Sequence, residues 1–124
     1  MGYLIDSNVI FDYLGNAFSK SQWNFLVNVI NESPNISVIT KIEALSWHDD
    51  SIQEETKLAS FINYSNIIPL SDDIVAQCIN IRRNRKMKTP DAIIAATALV
   101  YNFTLITSDS DFNKIPDIKT INPF

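Results

Sequence analysis

Short apolar runs alternate along the chain with longer amphipathic stretches. The runs predict strands at residues 3–5, 36–39, 67–70 and 104–107, and a fifth at 119–121. Between them, apolar residues recur at helical spacing, which predicts helices near residues 9–14, 23–30, 42–47, 58–62, 74–81 and 90–98. Nearly continuous apolar strands that alternate with helices are typical of a parallel sheet covered on both faces. The pattern therefore predicts a three-layer α/β/α sandwich around a mainly parallel sheet of four to five strands.

Length and composition fit one folded domain over residues 1–124. Hydrophobic residues make up 46% of the 124 positions, enough for a core. Cys78 is the single cysteine, and a small core thiol fits a reducing compartment. No export signal is visible, and the longest apolar stretch, residues 92–100, is too short to span a membrane. We therefore expect a cytoplasmic protein without membrane contact.

The charge balance limits how the chain can meet nucleic acid. Ten Lys and Arg face fourteen Asp and Glu, a net charge of −4, which argues against binding by bulk positive charge. Half of the cations are nevertheless gathered in one segment: Arg82, Arg83, Arg85, Lys86 and Lys88. They can be a solvated helix end favoured by the helix dipole, or a patch that grips RNA phosphates. With only two glycines, the glycine-rich loops of common nucleotide-binding folds are absent.

Four separate segments supply carboxylates that the predicted fold brings to the strand-end side of the sheet. They are Asp6, Glu43, Asp91 and the pair Asp109 and Asp111. Sites of open parallel sheets form beyond the carboxyl ends of the strands, so these acids are expected to meet there. Oxygen-only ligands suit hard cations such as Mg²⁺ or Mn²⁺, and without a cation the acids would repel one another. The pattern indicates a divalent metal site.

Each acid also has a purely structural interpretation. Asp6 can cap the first helix, and residues 40–43 match a capping box in which Glu43 bonds back to Thr40. Asp91 follows Pro90 in a favourable helix start, and residues 108–111 can form a turn. Asp72 and Asp73, which also follow a strand, are assigned to helix capping alone.

The same segments resemble a known family. Residues 4–9 (LIDSNV), 40–45 (TKIEAL), 89–98 (TPDAIIAATA) and 105–112 (LITSDSDF) are similar, in order, to the four signature blocks of PIN domains. The nearest group is the VapC-type toxins of VapBC toxin–antitoxin pairs. The third block is the most specific, because an aspartate followed by a helix of small apolar residues is unusual.

The resemblance implies a Mg²⁺- or Mn²⁺-dependent endoribonuclease that acts as a toxin, forms a homodimer and is neutralised by a small VapB-like antitoxin. It assigns metal binding and catalysis to Asp6, Glu43, Asp91 and Asp109, with Asp111 as a neighbour that acts through water. In this assignment Asp6 and Asp91 hold the principal ion, Asp109 completes its shell, and Glu43 binds a second ion or acts as general base. Ser7, Asn8 and Thr107 are expected to orient these ligands by hydrogen bonds.

Two other functions stay open at this point. One is a PIN-like module that has lost activity and only binds RNA or protein. The other is an aspartate-nucleophile phosphatase, which Ser7 and Asn8 after Asp6 disfavour, because that chemistry wants a second acid there. The lone histidine, His48, is interpreted as a surface or helix-end residue. Four aromatic residues are interpreted as core, with an antitoxin groove as the alternative: Tyr13, Phe18, Trp23 and Phe25.

Overall fold

Within the described residues, five parallel strands form one sheet that is flanked by six α-helices. The computed structural model describes residues 2–15, 19–32, 34–47 and 51–123. The strands are β1 (Tyr3–Ile5), β2 (Asn35–Ser37), β3 (Asn66–Ile68), β4 (Thr104–Ile106) and β5 (Lys119–Ile121). The helices are α1 (Ser7–Leu14), α2 (Lys20–Asn31), α3 (Val38–Ser46), α4 (Ile52–Tyr64), α5 (Asp72–Asn84) and α6 (Thr89–Tyr101), with a 3₁₀ helix at Ser110–Lys114. The predicted architecture and the fifth strand are confirmed.

The second strand ends earlier than the sequence predicts. Val38 and Ile39 are β-branched and favour a strand, yet both belong to α3. The cause is Ser37, whose hydroxyl accepts a hydrogen bond from the Ile39 amide at 3.2 Å and so caps the helix. The prediction of a strand over residues 36–39 is therefore wrong in its second half, and α3 begins close behind the sheet.

Alternation along the central strands divides the core into two layers. Leu4 and Leu105 face the side covered by α5 and α6, while Ile5 and Ile106 face the side covered by α1, α2 and α4. This is the two-residue period of a strand whose faces are both buried. Cys78 lies buried in the α5–α6 layer, as expected of a small core residue.

The order of the strands decides where a site can form. Across the sheet the order is β3-β2-β1-β4-β5. The chain adds β2 and β3 on one side of β1, then crosses back and adds β4 and β5 on the other side. β1 and β4 are neighbours, with Ile5 in register with Ile106. Their carboxyl ends form the topological switch point, where a crevice opens in such sheets. Within the described residues, no helix is both long and apolar enough to cross a membrane.

Candidate metal and nucleic-acid site

Asp6 lies at the switch point and is almost completely buried, with 5% of its surface exposed. It leaves β1 and caps α1, and its carboxylate accepts a hydrogen bond from the Ser7 amide at 2.9 Å. The other carboxylate oxygen accepts from the Thr107 hydroxyl at 2.8 Å and from Asn8 Nδ2 at 3.2 Å. The three neighbours named from the sequence thus all contact Asp6, although Ser7 does so through its backbone. They hold its carboxylate in one orientation.

The environment of Asp6 disfavours its charge. Burial raises the pKa of its carboxyl above the ordinary value, more than the hydrogen bonds from Thr107 and Ser7 lower it. The nearby negative charges of Asp91 and Asp109 raise this pKa further. A buried carboxylate beside two other acids is a site that a cation would stabilise.

Glu43 and Asp91 belong to the same electrostatic cluster. Burial raises the pKa of Glu43, and the charges of Asp6 and Asp91 add to this effect. Burial likewise raises the pKa of Asp91, with a contribution from Asp109 and an opposing one from Lys88. Glu43 is exposed and Asp91 is half-buried, so both retain access to solvent. Acids from α1's cap, α3 and α6 therefore influence one another across the crevice.

The two acids of the last block have different surroundings. Asp109 is half-buried, caps the 3₁₀ helix by accepting from the Asp111 amide at 2.9 Å, and donates its own amide to the Thr107 hydroxyl. Asp111 is exposed and forms an ion pair with Lys114 at 3.2 Å. The charge of Asp109 reaches both Asp6 and Asp91, whereas that of Asp111 reaches Asp91. Asp109 is thus joined to Asp6 through Thr107.

The structural interpretations of these acids fare differently. Asp6 and Asp109 do cap helices, and Asp91 does lie in the first turn of α6 behind Pro90. The capping box at residues 40–43 is wrong, because Thr40 lies inside α3 and Ser37 is the cap. Glu43 therefore has no capping role that would explain it.

A cavity of about 620 Å³ is lined by acidic residues of this region and by basic residues. Its wall contains Asp91, Asp109 and Asp111, together with four of the predicted cations, Arg82, Arg85, Lys86 and Lys88. Sequence analysis missed one further cation of this wall, Lys114. The available signal was its position three residues after Asp111, which puts both on one side of a helical turn. Arg83 instead lines a separate apolar cavity with Val75 and Ile79.

The aromatic residues interpreted as core mostly pack as such. Tyr13 and Phe25 are half-buried against the layer formed by α1, α2 and α4. Trp23 stacks on Tyr13 with ring centroids 4.4 Å apart. Phe18 and His48 lie outside the described residues. Three apolar residues of the predicted helix near residues 42–47 are exposed on α3 and its end: Ile42, Leu45 and Trp47.

The donor chemistry of the cluster fits a hard divalent cation. Its members offer carboxylate oxygens, with a hydroxyl and an amide behind them. In the described part of the chain, no three His, Cys, Asp or Glu side chains stand close enough to enclose an ion as they are. Uncompensated carboxylates repel, and this repulsion disfavours a tighter arrangement of Asp6, Asp91 and Asp109.

The fold and the acids at its switch point define an α/β protein of the PIN type. Residues 3–118 match the PIN domain family. The chain therefore belongs to the PIN-domain family. No curated protein sequence matches it significantly.

Solved structures with this fold come from several bacteria. A toxin–antitoxin complex from Klebsiella pneumoniae is 28% identical, with a TM-score of 0.75, and the match covers 99% of this chain and 98% of that one. VapBC2 from Rickettsia felis, bound to a DNA fragment from its promoter, is 23% identical with a TM-score of 0.82 and covers 98% of each chain. VapBC-1 from nontypeable Haemophilus influenzae is 20% identical with a TM-score of 0.80, covering 99% and 98%.

Proposed function

We propose that the protein is a metal-dependent endoribonuclease, folded as one domain over residues 1–124, and the toxin of a toxin–antitoxin pair. The observation that carries this proposal is the cluster at the switch point. Asp6, Glu43 and Asp91 lie in one electrostatic cluster of acids with raised pKa values, and Asp91 also lines a cavity with five cations. Acids that a metal cation would stabilise thus lie next to basic side chains that an anion would stabilise. An RNA phosphodiester with Mg²⁺ or Mn²⁺ satisfies both needs.

The residues divide into ligands and orienting groups. Asp6, Asp91 and Asp109 would hold the ion, and Thr107 orients two of them, because its hydroxyl donates to Asp6 and accepts from the Asp109 amide. A bound ion would polarise the phosphodiester and lower the pKa of water. Glu43, exposed and with a raised pKa, is suited to accept a proton from the attacking water.

The cations would guide the negatively charged backbone of the RNA. Lys88 directly precedes α6, and its positive charge lowers the pKa of Asp91 and so opposes the effect of burial. Arg85 is fixed by donating to the Lys114 carbonyl oxygen. Such contacts position a strand without reading its sequence. They also explain how a chain of net charge −4 can hold RNA.

The test of the proposal is cleavage of labelled single-stranded RNA by the antitoxin-free protein with Mg²⁺, Mn²⁺ or EDTA. We expect cleavage that requires metal and is lost in Asp91→Asn, because the amide removes both a charge and an anionic ligand. Asp73→Asn is the matched control, since Asp73 is an exposed acid at the start of α5 and should leave cleavage unchanged. A folded wild-type protein with neither cleavage nor heat of Mn²⁺ binding would overturn the proposal and leave a module that only binds RNA or protein.

Asp109 and Asp111 should respond differently to the same change. We expect Asp109→Asn to lower metal-dependent cleavage by at least about tenfold, the scale seen when groups supporting a metal site are altered. Asp111→Asn should lower it less, because Asp111 is exposed and paired with Lys114. Initial rates across a Mn²⁺ titration measure both effects. A larger loss in Asp111→Asn would reverse the assignment of these two acids.

Exposed apolar surface supports the proposed protein partners. One patch lies on α3 and its end and consists of Ile42, Leu45 and Trp47. A second lies on and before α5 and includes Leu70, Val75 and Ile79. Patches of this kind mark protein interfaces. A second copy of the chain and a VapB-like antitoxin, both in the cytoplasm, are the partners that we propose to cover them.

A further inference from the structure

A second, smaller cleft adjoins the cavity that carries the cations. Its volume is about 170 Å³, below the roughly 300–1,000 Å³ of sites for drug-sized ligands, so it suits one small planar group. Polar side chains line it together with aliphatic ones: Gln77, Asn80, Asn84, Arg85, Pro116 and Asp117. None of these residues except Arg85 has a part in the proposed nuclease chemistry.

Three of the lining residues form a row of amides on α5. Gln77, Asn80 and Asn84 are spaced three and four residues apart, which places them on one face of the helix. Asn84 Nδ2 donates to the Asn80 carbonyl oxygen at 2.8 Å and to Asn80 Oδ1 at 3.1 Å. Asn80 Nδ2 and Asn84 Oδ1 take part in neither bond.

The lining of the cleft also includes a carboxylate from a residue in an unusual backbone conformation. Asp117 has φ 68°, in the left-handed region that few residues other than glycine adopt. It follows Pro116, and both line the cleft. The cleft is thus lined by an anionic acceptor and by a row of amides that both donate and accept. This combination matches the polar edge of a nucleobase.

Arg85 joins this cleft to the cavity beside the acids. Its side chain lines both the cavity and the cleft, and it donates a hydrogen bond to the carbonyl oxygen of Lys114. Lys114 lines the cavity, and the residues that follow it, 115–117, line the cleft. Its Nε is buried and has no hydrogen-bond partner within the described residues. A guanidinium held in place is a surface on which an unpaired base can stack. An RNA strand in the cavity would therefore have a base within reach of the cleft.

We propose that the cleft between α5 and residues 115–117 binds one unpaired guanine base of the RNA, and so gives the enzyme a sequence preference. The inference rests on the proposed ribonuclease function. Guanine presents two adjacent N–H donors, N1 and N2, on one edge, and a single carboxylate accepts both. Uracil, cytosine and adenine do not present that pair. Asp117 accepts these donors, and the amides of Asn80 and Gln77 serve the remaining polar atoms of the base.

The test measures binding of short RNA without cleavage, in EDTA, by fluorescence anisotropy. The probes are labelled uracil heptamers, either unmodified or with a single guanine, adenine or abasic position. We expect wild-type protein to bind the one-guanine probe on the order of tenfold more tightly than the other three. Asp117→Asn should reduce this preference to less than about twofold while keeping affinity for the uracil probe, and asparagine also tolerates the left-handed conformation. Asp73→Asn, with the same charge change, should keep the preference.

The outcomes separate this proposal from the function it rests on. Binding of all probes without a guanine preference, or an unchanged preference in Asp117→Asn, would overturn the guanine cleft and leave the nuclease proposal standing. An equal preference for adenine would also overturn it, because adenine lacks the paired donors. No binding of any probe by folded wild-type protein would overturn the guanine cleft, while the nuclease proposal is tested separately by cleavage with Mg²⁺ or Mn²⁺. Loss of the preference in Asn84→Ala as well, with thermal melting unchanged, would support the cleft.

Discussion

Asp6→Asn is expected to lower metal-dependent RNA cleavage by at least about 100-fold, the upper scale for groups that merely support a metal site. Asp6 is the most buried acid of the cluster and is held by three neighbouring residues. The amide has nearly the same shape and keeps one oxygen, but it removes the charge that would balance the ion. The loss should therefore arise from metal binding and not from misfolding.

The same substitution is expected to stabilise the metal-free protein at neutral pH. The pKa of Asp6 is raised in the folded state, chiefly by burial, so the folded state binds more protons than the unfolded state between the ordinary and the raised pKa. The free energy of unfolding therefore falls as pH rises through that window. Above the raised pKa, the folded protein bears the whole free-energy cost of holding the charged Asp6 carboxylate in a buried place. Asparagine has no charge to desolvate and removes this cost.

The local contacts can accommodate the amide. Asn8 Oδ1 is buried without a hydrogen-bond partner among the described residues, and after a flip of its own amide Asn8 can accept from the amide nitrogen that the substitution introduces. The Thr107 hydroxyl can rotate, since it both donates and accepts. The expected increase in Tm in EDTA is a few degrees. The advantage over wild type should vanish as pH falls towards the ordinary carboxyl pKa.

Thermal melts in EDTA and in Mn²⁺, from pH 4 to pH 8, measure both effects in one series. Manganese should raise the Tm of wild type, because a ligand that binds only the folded state stabilises it, and should not raise that of Asp6→Asn. Asp73→Asn should behave as wild type towards Mn²⁺. A variant that cleaves normally and loses about 1 kcal/mol of stability in EDTA at pH 7 would show Asp6 to be only a helix cap.

The fold could be predicted well because its signals are local. Strand runs such as residues 104–106 are short, apolar and followed by polar residues, so β4 and its neighbours were identifiable. Errors arose where side chains override propensity: Ser37 caps α3 and draws Val38 and Ile39 into the helix. Exposure was harder to predict. Ile42 and Leu45 have helical spacing but lie exposed on α3, because periodicity identifies an apolar face without showing what covers it.

The candidate site could be predicted only in part. Acids at strand ends are brought together by topology, so the grouping of Asp6, after β1, and Asp109, after β4, followed from the parallel sheet. Lys114 and the amide cleft depend on how residues 110–117 turn back beside α5, which no periodicity encodes. The predicted capping box at residues 40–43 failed for a different reason. The local sequence fits the motif, but Ser37 caps α3 three residues earlier, so Thr40 lies inside the helix.

Phe112→Ala is expected to cost about 3–5 kcal/mol of unfolding free energy, a large share of the roughly 5–15 kcal/mol typical of a domain. Phe112 is 1% exposed and packs in the layer that contains Leu105 and Ile115. It lies in the 3₁₀ helix between Asp111 and Lys114, so its ring anchors the segment that carries the last acids of the site. Truncation leaves a cavity under that segment, and such cavities close only in part.

Urea unfolding of Phe112→Ala, Phe112→Leu and Ile52→Ala measures this anchoring. The alanine variant should show the largest drop in midpoint at an unchanged m-value, and the leucine variant a smaller one. Ile52→Ala should change stability by less than about 0.5 kcal/mol, because this side chain is 76% exposed. Where the alanine variant remains folded, cleavage should still fall, since Asp109 loses its support. Normal cleavage together with a large loss of stability would show that Asp109 is positioned by Thr107 alone and not by the ring beneath it.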